Sequence, residues 1–200
     1  MALARRDDYL ESLIEERYEI IRGRVYMMDS PVINHQRIVG VLFRSISNFL
    51  VGKTCEAIIA PFDVRLLDPG EDPDSPRPPR NIVQPDIIVV CDKKKITLKR
   101  CLGPPDLVIE VLSPSTTSKD FVAKRDLYER AGVLEYWIVD PVNRVINVMR
   151  YENAEAPQNE SAVQSWVAFT LPEEAELTTP ILEGLTIQIK EVFADMLPED

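Results

Sequence analysis

Apolar residues return along this chain at two different periods, and their distribution predicts a sheet with helices laid on it. At Ile38, Val39, Leu42, Phe43, Ile46, Phe49 and Leu50 the spacing is three or four residues, which gives one apolar helical stripe. Upstream, Y-E-I-I-R-G-R-V-Y-M-M (18–28) reads as a hairpin, with Gly23 free to take a positive φ at the turn. Short β-branched and aliphatic runs predict strands near 56–60 and 63–67, after Asp86, around Glu110, at 136–139 and 145–149, and near 166–169. Helices are expected near 7–17, 117–131 and 190–196, the middle one ended by Gly132. The stretch 68–80, D-P-G-E-D-P-D-S-P-R-P-P-R, buries no apolar area and reads as a surface loop that interrupts the domain without dividing it. The expected class is α/β or α+β: a central mixed sheet flanked by helices, with an N-terminal hairpin, in one domain over 1–200.

A chain of 200 residues supports one well-buried core, and 45% hydrophobic with 28% charged residues is ordinary for a globular protein. No run reaches the roughly 18 apolar residues of a membrane span, and the N-terminus carries no apolar export signal. The expectation is therefore a cytoplasmic protein without membrane contact. Cys55, Cys91 and Cys101 are odd in number and lack C-x-x-C spacing, which suits a reducing compartment and argues against a cysteine zinc site. Net charge −10 works against a polyanionic partner. The acidic excess is heavy towards the C-terminus, however, while Arg77, Arg80, Lys93, Lys94, Lys95, Lys99 and Arg100 sit mid-chain, either as a local basic rim or as solvated loops.

Two acids interrupt the buried strands: Asp86 in Q-P-D-I-I-V-V and Glu110 in P-D-L-V-I-E-V-L-S-P-S-T. An uncompensated carboxylate there costs several kcal/mol, on the order of magnitude, and two side by side also repel. A hard divalent cation relieves both problems. On the following helix Asp120, Lys124 and Tyr128 lie four residues apart and share one face. Lys124 then either points at the carboxylates or pairs with Asp120 on a solvated face.

The run P-D-L-V-I-E-V-L-S-P-S-T, followed by K-D-F-V-A-K-R-D-L-Y-E-R-A-G-V-L-E-Y-W-I-V-D-P, resembles the Uma-type restriction endonuclease family of the PD-(D/E)xK nuclease superfamily. Y-E-I-I-R-G-R-V-Y-M-M, His35 and the Q-P-D-I around Asp86 extend the likeness over roughly residues 9–151, with a strand and short helix beyond it in 160–197. The resemblance implies a restriction-endonuclease-like core and hydrolysis of nucleic-acid phosphodiesters, DNA foremost, with Mg²⁺ or Mn²⁺. It assigns Asp86 and Glu110 as metal ligands, joined by the main-chain carbonyl of Val111. The superfamily's lysine stands two residues after the second acid, where this chain has Leu112, so Lys124 inherits that role. Glu19 resembles an N-terminal acid completing the site, unless its strand turns it to solvent. His35, the sole histidine, is a candidate phosphate contact or a structural helix-start residue, and Gln84 braces the strand end beside the substrate. Tyr128 reads as packing with its hydroxyl near the site, and Tyr136 and Trp137 as core.

Duplex cutting needs two sites, so a homodimer is expected. The alternative reading is a nuclease-fold binding or interaction module with little catalysis, which the acidic surface favours. Loss of either acid is expected to leave the fold intact or more stable, because a repulsion disappears. No P-loop, G-x-G-x-x-G or G-x-S-x-G motif occurs, and one histidine excludes multi-histidine zinc catalysis.

Overall fold

The computed structural model describes residues 17–68, 71, 78–113, 118–151 and 165–198, with the backbone alone over 118–121. The predicted helix at 7–17, most of the 68–80 loop and the 114–117 link lie almost wholly outside the described residues. The chain begins with the predicted hairpin: β1 (Tyr18–Ile21) and β2 (Arg24–Met27) pair antiparallel from Tyr18↔Met27 to Ile21↔Arg24. Its two turn residues, Arg22 (φ 53°) and Gly23 (φ 76°), both take positive φ, the geometry that matches strand twist in a tight hairpin. Helix α1 (Ile33–Leu50) follows, burying Ile38, Val39, Leu42, Ile46 and Leu50 as the periodicity predicts.

The strands form two principal sheets where the sequence suggested one. Six strands run in the order β11 (Val167–Pro172), β10 (Val145–Arg150), β9 (Glu135–Asp140), β8 (Leu107–Val111), β6 (Ile87–Val90) and β3 (Glu56–Ile59). The β8–β9 pair is parallel and the remaining pairs are antiparallel, so the sheet is mixed. A second sheet takes β2, β1, β5 (Ile82–Val83), β4 (Asp63–Arg65) and β7 (Arg100–Leu102) in that order. The chain passes from the first sheet to the second between β3 and β4, through a cis Ala60–Pro61 bond. After β11 the described chain adds the hairpin of β12 (Glu176–Thr178) and β13 (Thr186–Gln188), then a single turn, α3 (Ile189–Val192). The C-terminal segment therefore holds three strands, where one was expected.

Strand alternation divides the interior in two. Ile87 and Val89, Leu107, Ile109 and Val111, and Trp137 and Val139 pack with the stripe of α1 on one face of the six-stranded sheet. Ile88 and Val90, Val108, and Tyr136 and Ile138 face the other way, against Ile21, Val64 and Val83 of the second sheet and Leu127 and Tyr128 of α2 (Ser118–Ala131). Gly132 (φ 88°) ends α2 as expected, and the Val133 amide donates back to the Tyr128 carbonyl at 3.0 Å.

The cysteine reading is corrected. Cys55 and Cys91 form a disulfide, one step beyond the Glu56↔Val90 pair of the β3–β6 ladder, and Cys101 stays free and buried. An odd count conceals such a pair, because the cysteines meet only once β3 lies against β6. Burial pushes the Cys101 thiol up to about 11.

Candidate active site

Register creates the site. In the β6–β8 ladder Ile87 opposes Ile109, so one further step sets Asp86 opposite Glu110 at the open end of the pair. Glu110 shares a strand face with Val108 and therefore projects into the space between the sheets. Tyr136 belongs to the same face, because Val108 opposes Tyr136 and Glu110 opposes Ile138 across the parallel pair. Helix α2 closes the space from the side. Glu19 comes from β1, where it alternates inward with Ile21 and is 5% exposed.

The ammonium of Lys124 lies between two carboxylates, 2.9 Å from Glu19 Oε2 and 3.0 Å from Glu110 Oε1. This settles the orientation left open by helical spacing: Lys124 turns inward, and Asp120's side chain lies outside the described residues. The Tyr128 hydroxyl, one helical turn on, donates to Glu110 Oε1 at 2.6 Å, and the Tyr136 hydroxyl donates to Oε2 at 3.3 Å. Glu110 thus accepts three bonds, so removing it strands the two tyrosine hydroxyls and leaves Lys124 to Glu19 alone, as well as relieving a repulsion. The expectation of an unharmed fold does not extend to its replacement by alanine.

Asp86 faces a different set of groups. Its Oδ2 accepts the Val111 amide at 2.8 Å and lies 3.2 Å from His35 Nε2. A carboxylate accepts, so Nε2 donates to it. The ring's Nδ1 is buried with no hydrogen-bond partner among the described residues. Gln84 ties three elements together: its amide N–H donates to Glu19 Oε1 at 2.8 Å, its Nε2 to Asp63 Oδ1 at 2.9 Å, and Arg17 Nε donates to its Oε1 at 3.0 Å.

Burial pushes the Glu110 carboxyl above the usual glutamate range. Lys124 opposes that shift, and Glu19 and Asp86 add to it. Burial alone would lower the Lys124 ammonium, but Glu110 and Glu19 more than reverse this and hold it above the ordinary lysine range. Burial, followed by the Glu110 charge, raises both Tyr128 and Tyr136 well above the tyrosine norm. Glu19, Asp86, Glu110, Lys124, His35 and Gln84 all line one cleft of about 260 Å³. Among the described residues, no three side chains of His, Cys, Asp or Glu close on a single point that could hold a metal ion.

Sequence reasoning placed Tyr136 in the core and passed over Arg17, Asp63 and Tyr26. The first had a readable signal, since Tyr136 and Glu110 share a face once β8 and β9 are aligned. Asp63 and Arg17 had none, because their link runs through a corner between two sheets.

A family model described as "Putative restriction endonuclease", Uma2, matches residues 6–190. An uncharacterized protein of Synechocystis sp., slr1290, is 28% identical over 135 residues, and the match spans 66% of each chain. A crystal structure from Anabaena variabilis, described as a putative nuclease belonging to DUF820, superposes with a TM-score of 0.68 at 20% identity, covering 94% of this chain and 96% of that one. At that identity the likeness establishes a shared fold. With 185 of its 200 residues inside the family model, this chain belongs to the Uma2 family.

Proposed function

We propose that the protein is a divalent-cation-dependent nuclease that hydrolyses phosphodiester bonds in nucleic acid. The observation that carries this reading is the meeting of Glu19, Asp86, Glu110 and Lys124 in one cleft at the open end of β6 and β8. Two of the carboxylates, Glu19 and Glu110, share the Lys124 ammonium and Asp86 adds a third acid to the cleft, a surplus of negative charge suited to a hard cation. The donor set fits as well: Asp86 and Glu110 with the main-chain carbonyl of Val111 need only two acidic side chains, so no third is required. Mg²⁺ or Mn²⁺ held by those residues would supply activation of a water and would offset charge on the scissile phosphate.

The chain's own residues supply the rest. Lys124, held charged by Glu19 and Glu110, places a positive group where negative charge develops on the phosphoryl oxygens. Tyr128 and Tyr136 fix both oxygens of Glu110, and Glu19 fixes Lys124. His35, through Nε2, orients Asp86. The test is incubation of plasmid and single-stranded substrates with Mg²⁺ and Mn²⁺, using Asp86→Ala as control. Cation-dependent cleavage by the parent alone is expected, and equal cleavage by Asp86→Ala rejects the assignment. A binding module of the same fold draws on the net charge of −10 and on the pairing of Lys124 within the protein. A rise in Tm on adding Mg²⁺ is expected of a working site and separates the two.

A further inference from the structure

We infer that the cleft receives a nucleotide whose base is unpaired and stacks on Tyr26, and that it does not track an intact duplex. The inference rests on the proposed phosphodiesterase site and names its substrate class. Duplexes are gripped chiefly through phosphates, by many Lys and Arg side chains along a groove. Among the described residues that line this cleft, the cations are Arg17 and Lys124, against the acids Glu19, Asp29, Asp86 and Glu110. Both cations already hold protein partners, Gln84 for Arg17 and two glutamates for Lys124. Such a surface has little with which to hold two backbones.

It does have an apolar wall. Tyr26 sits directly across the hairpin from Glu19 and so shares that face of the strands. Its half-buried ring lines the cleft with Ile21, Met28, Pro31, Val39 and Ile59. An aromatic ring in an apolar wall is a platform for any base, because every base has a π-face, and in a duplex those faces are hidden by neighbouring bases. The volume of about 260 Å³ is on the scale of one nucleotide. The scissile phosphate then lies beside Lys124 and His35, with the base against Tyr26. Such a base comes from a single strand or is swung out of a helix at the cost of unstacking, least where pairing is already lost.

Short oligonucleotides carrying 2-aminopurine test this with the full-length chain, as single-stranded DNA, single-stranded RNA, a duplex and a duplex with an unpaired bubble. Anisotropy reports affinity and 2-aminopurine quenching reports stacking. Single strands are expected to bind at least ~10-fold more tightly than the closed duplex. Tyr26→Ala should weaken that binding ~5- to 150-fold and abolish the quench, while Tyr26→Phe restores both. The DNA and RNA arms identify the sugar, and the bubble arm identifies extrusion from a helix. Equal affinity for the closed duplex, or an unchanged quench in Tyr26→Ala, overturns the inference. Cation-dependent cleavage confined to duplex and indifferent to Tyr26 would remove this proposal and leave the nuclease intact. Tyr26-dependent quenching without cleavage in any cation would do the reverse.

Discussion

Two glutamates are buried in adjacent strands of this protein, and they do different things. Glu110 lies in β8 and Glu135 opens β9, each a lone acid beside an apolar run, and burial raises both carboxyls above the ordinary value. The partners of Glu110 are a lysine and two tyrosines, with Glu19 and Asp86 close enough to shift its charge. It also opens onto the cleft. Glu135 is fully buried, and its close donors are neutral: Trp137 Nε1 to Oε1, and Thr179 Oγ1 to Oε2 at 2.8 Å, with Arg150 farther off at 3.9 Å. Thr179 follows β12, so Glu135 pins the C-terminal segment to the central sheet. Burial alone does not distinguish the two acids. Partners that carry charge, and an opening onto the cleft, do.

The largest expected effect separates the two acids by activity. Glu110→Gln keeps shape and an acceptor oxygen but loses the charge that faces Lys124 and, in the proposed reading, the cation. Cleavage in Mg²⁺ should fall by at least about 10²–10³-fold, the range for a lost electrostatic contact at a reacting phosphate or carbonyl. Glu135→Gln should cleave close to wild type. Steady-state rates on one substrate settle it, and comparable losses in both variants would erase the distinction.

Next comes stability. Glu135→Ala leaves the Trp137 N–H and the Thr179 hydroxyl buried without an acceptor and opens a void, together costing about 2–5 kcal/mol. For a chain of this length that is a fall in Tm of roughly 5–15 °C, measured by calorimetry. Glu135→Gln should recover most of it, because the amide oxygen still accepts from Trp137 and the Thr179 hydroxyl can turn to accept from the amide.

These contrasts also show what the sequence discloses. The stripe of α1, the hairpin and the strands around Asp86 and Glu110 are legible because each follows one local period. Asp86 and Glu110 stand out as charges within apolar runs, and the motif likeness adds Lys124, Glu19, His35 and Gln84 to the same cleft. Glu135 has a similar local signature and drew no attention, because its partner Thr179 lies 44 residues away in a segment with a weak pattern. The division into two sheets was illegible for a related reason: β5 and β7 are two and three residues long, too short to show alternation. The disulfide and the Asp63–Gln84–Arg17 link are likewise products of packing, set by which strand lies beside which.

A smaller effect probes the support of Glu110. Tyr128→Phe removes its shortest hydrogen bond, 2.6 Å, and leaves the ring in place against Tyr136. Loss of a group that orients a metal ligand costs about 10–100-fold in metal affinity or activity. Titration of Mn²⁺ binding is expected to show that weakening, and Tyr136→Phe, at 3.3 Å, should show less. Equal Mn²⁺ affinity in wild type and Tyr128→Phe would reduce the tyrosines to packing.

The smallest effect is a slope with pH. Burial raises the folded carboxyl of Glu135 above its ordinary value of 4.5, the Trp137 and Thr179 bonds and Arg150 opposing without reversing it. In that situation the folded protein holds the proton more tightly than the unfolded chain, so its stabilising contribution is complete below about 4.5. It is lost as pH rises from there through the folded value. Wild type should therefore lose stability across that window from this group. Glu135→Gln cannot ionise, and its Tm–pH curve should be flatter there, read by calorimetry in matched buffers. Glu110 offers no such clean difference, since neutralising it also leaves Lys124 paired with Glu19 alone. If Glu135→Gln retains the full slope, the dependence belongs to another group, such as the raised carboxyl of Glu110, and Glu135 titrates as it would in water.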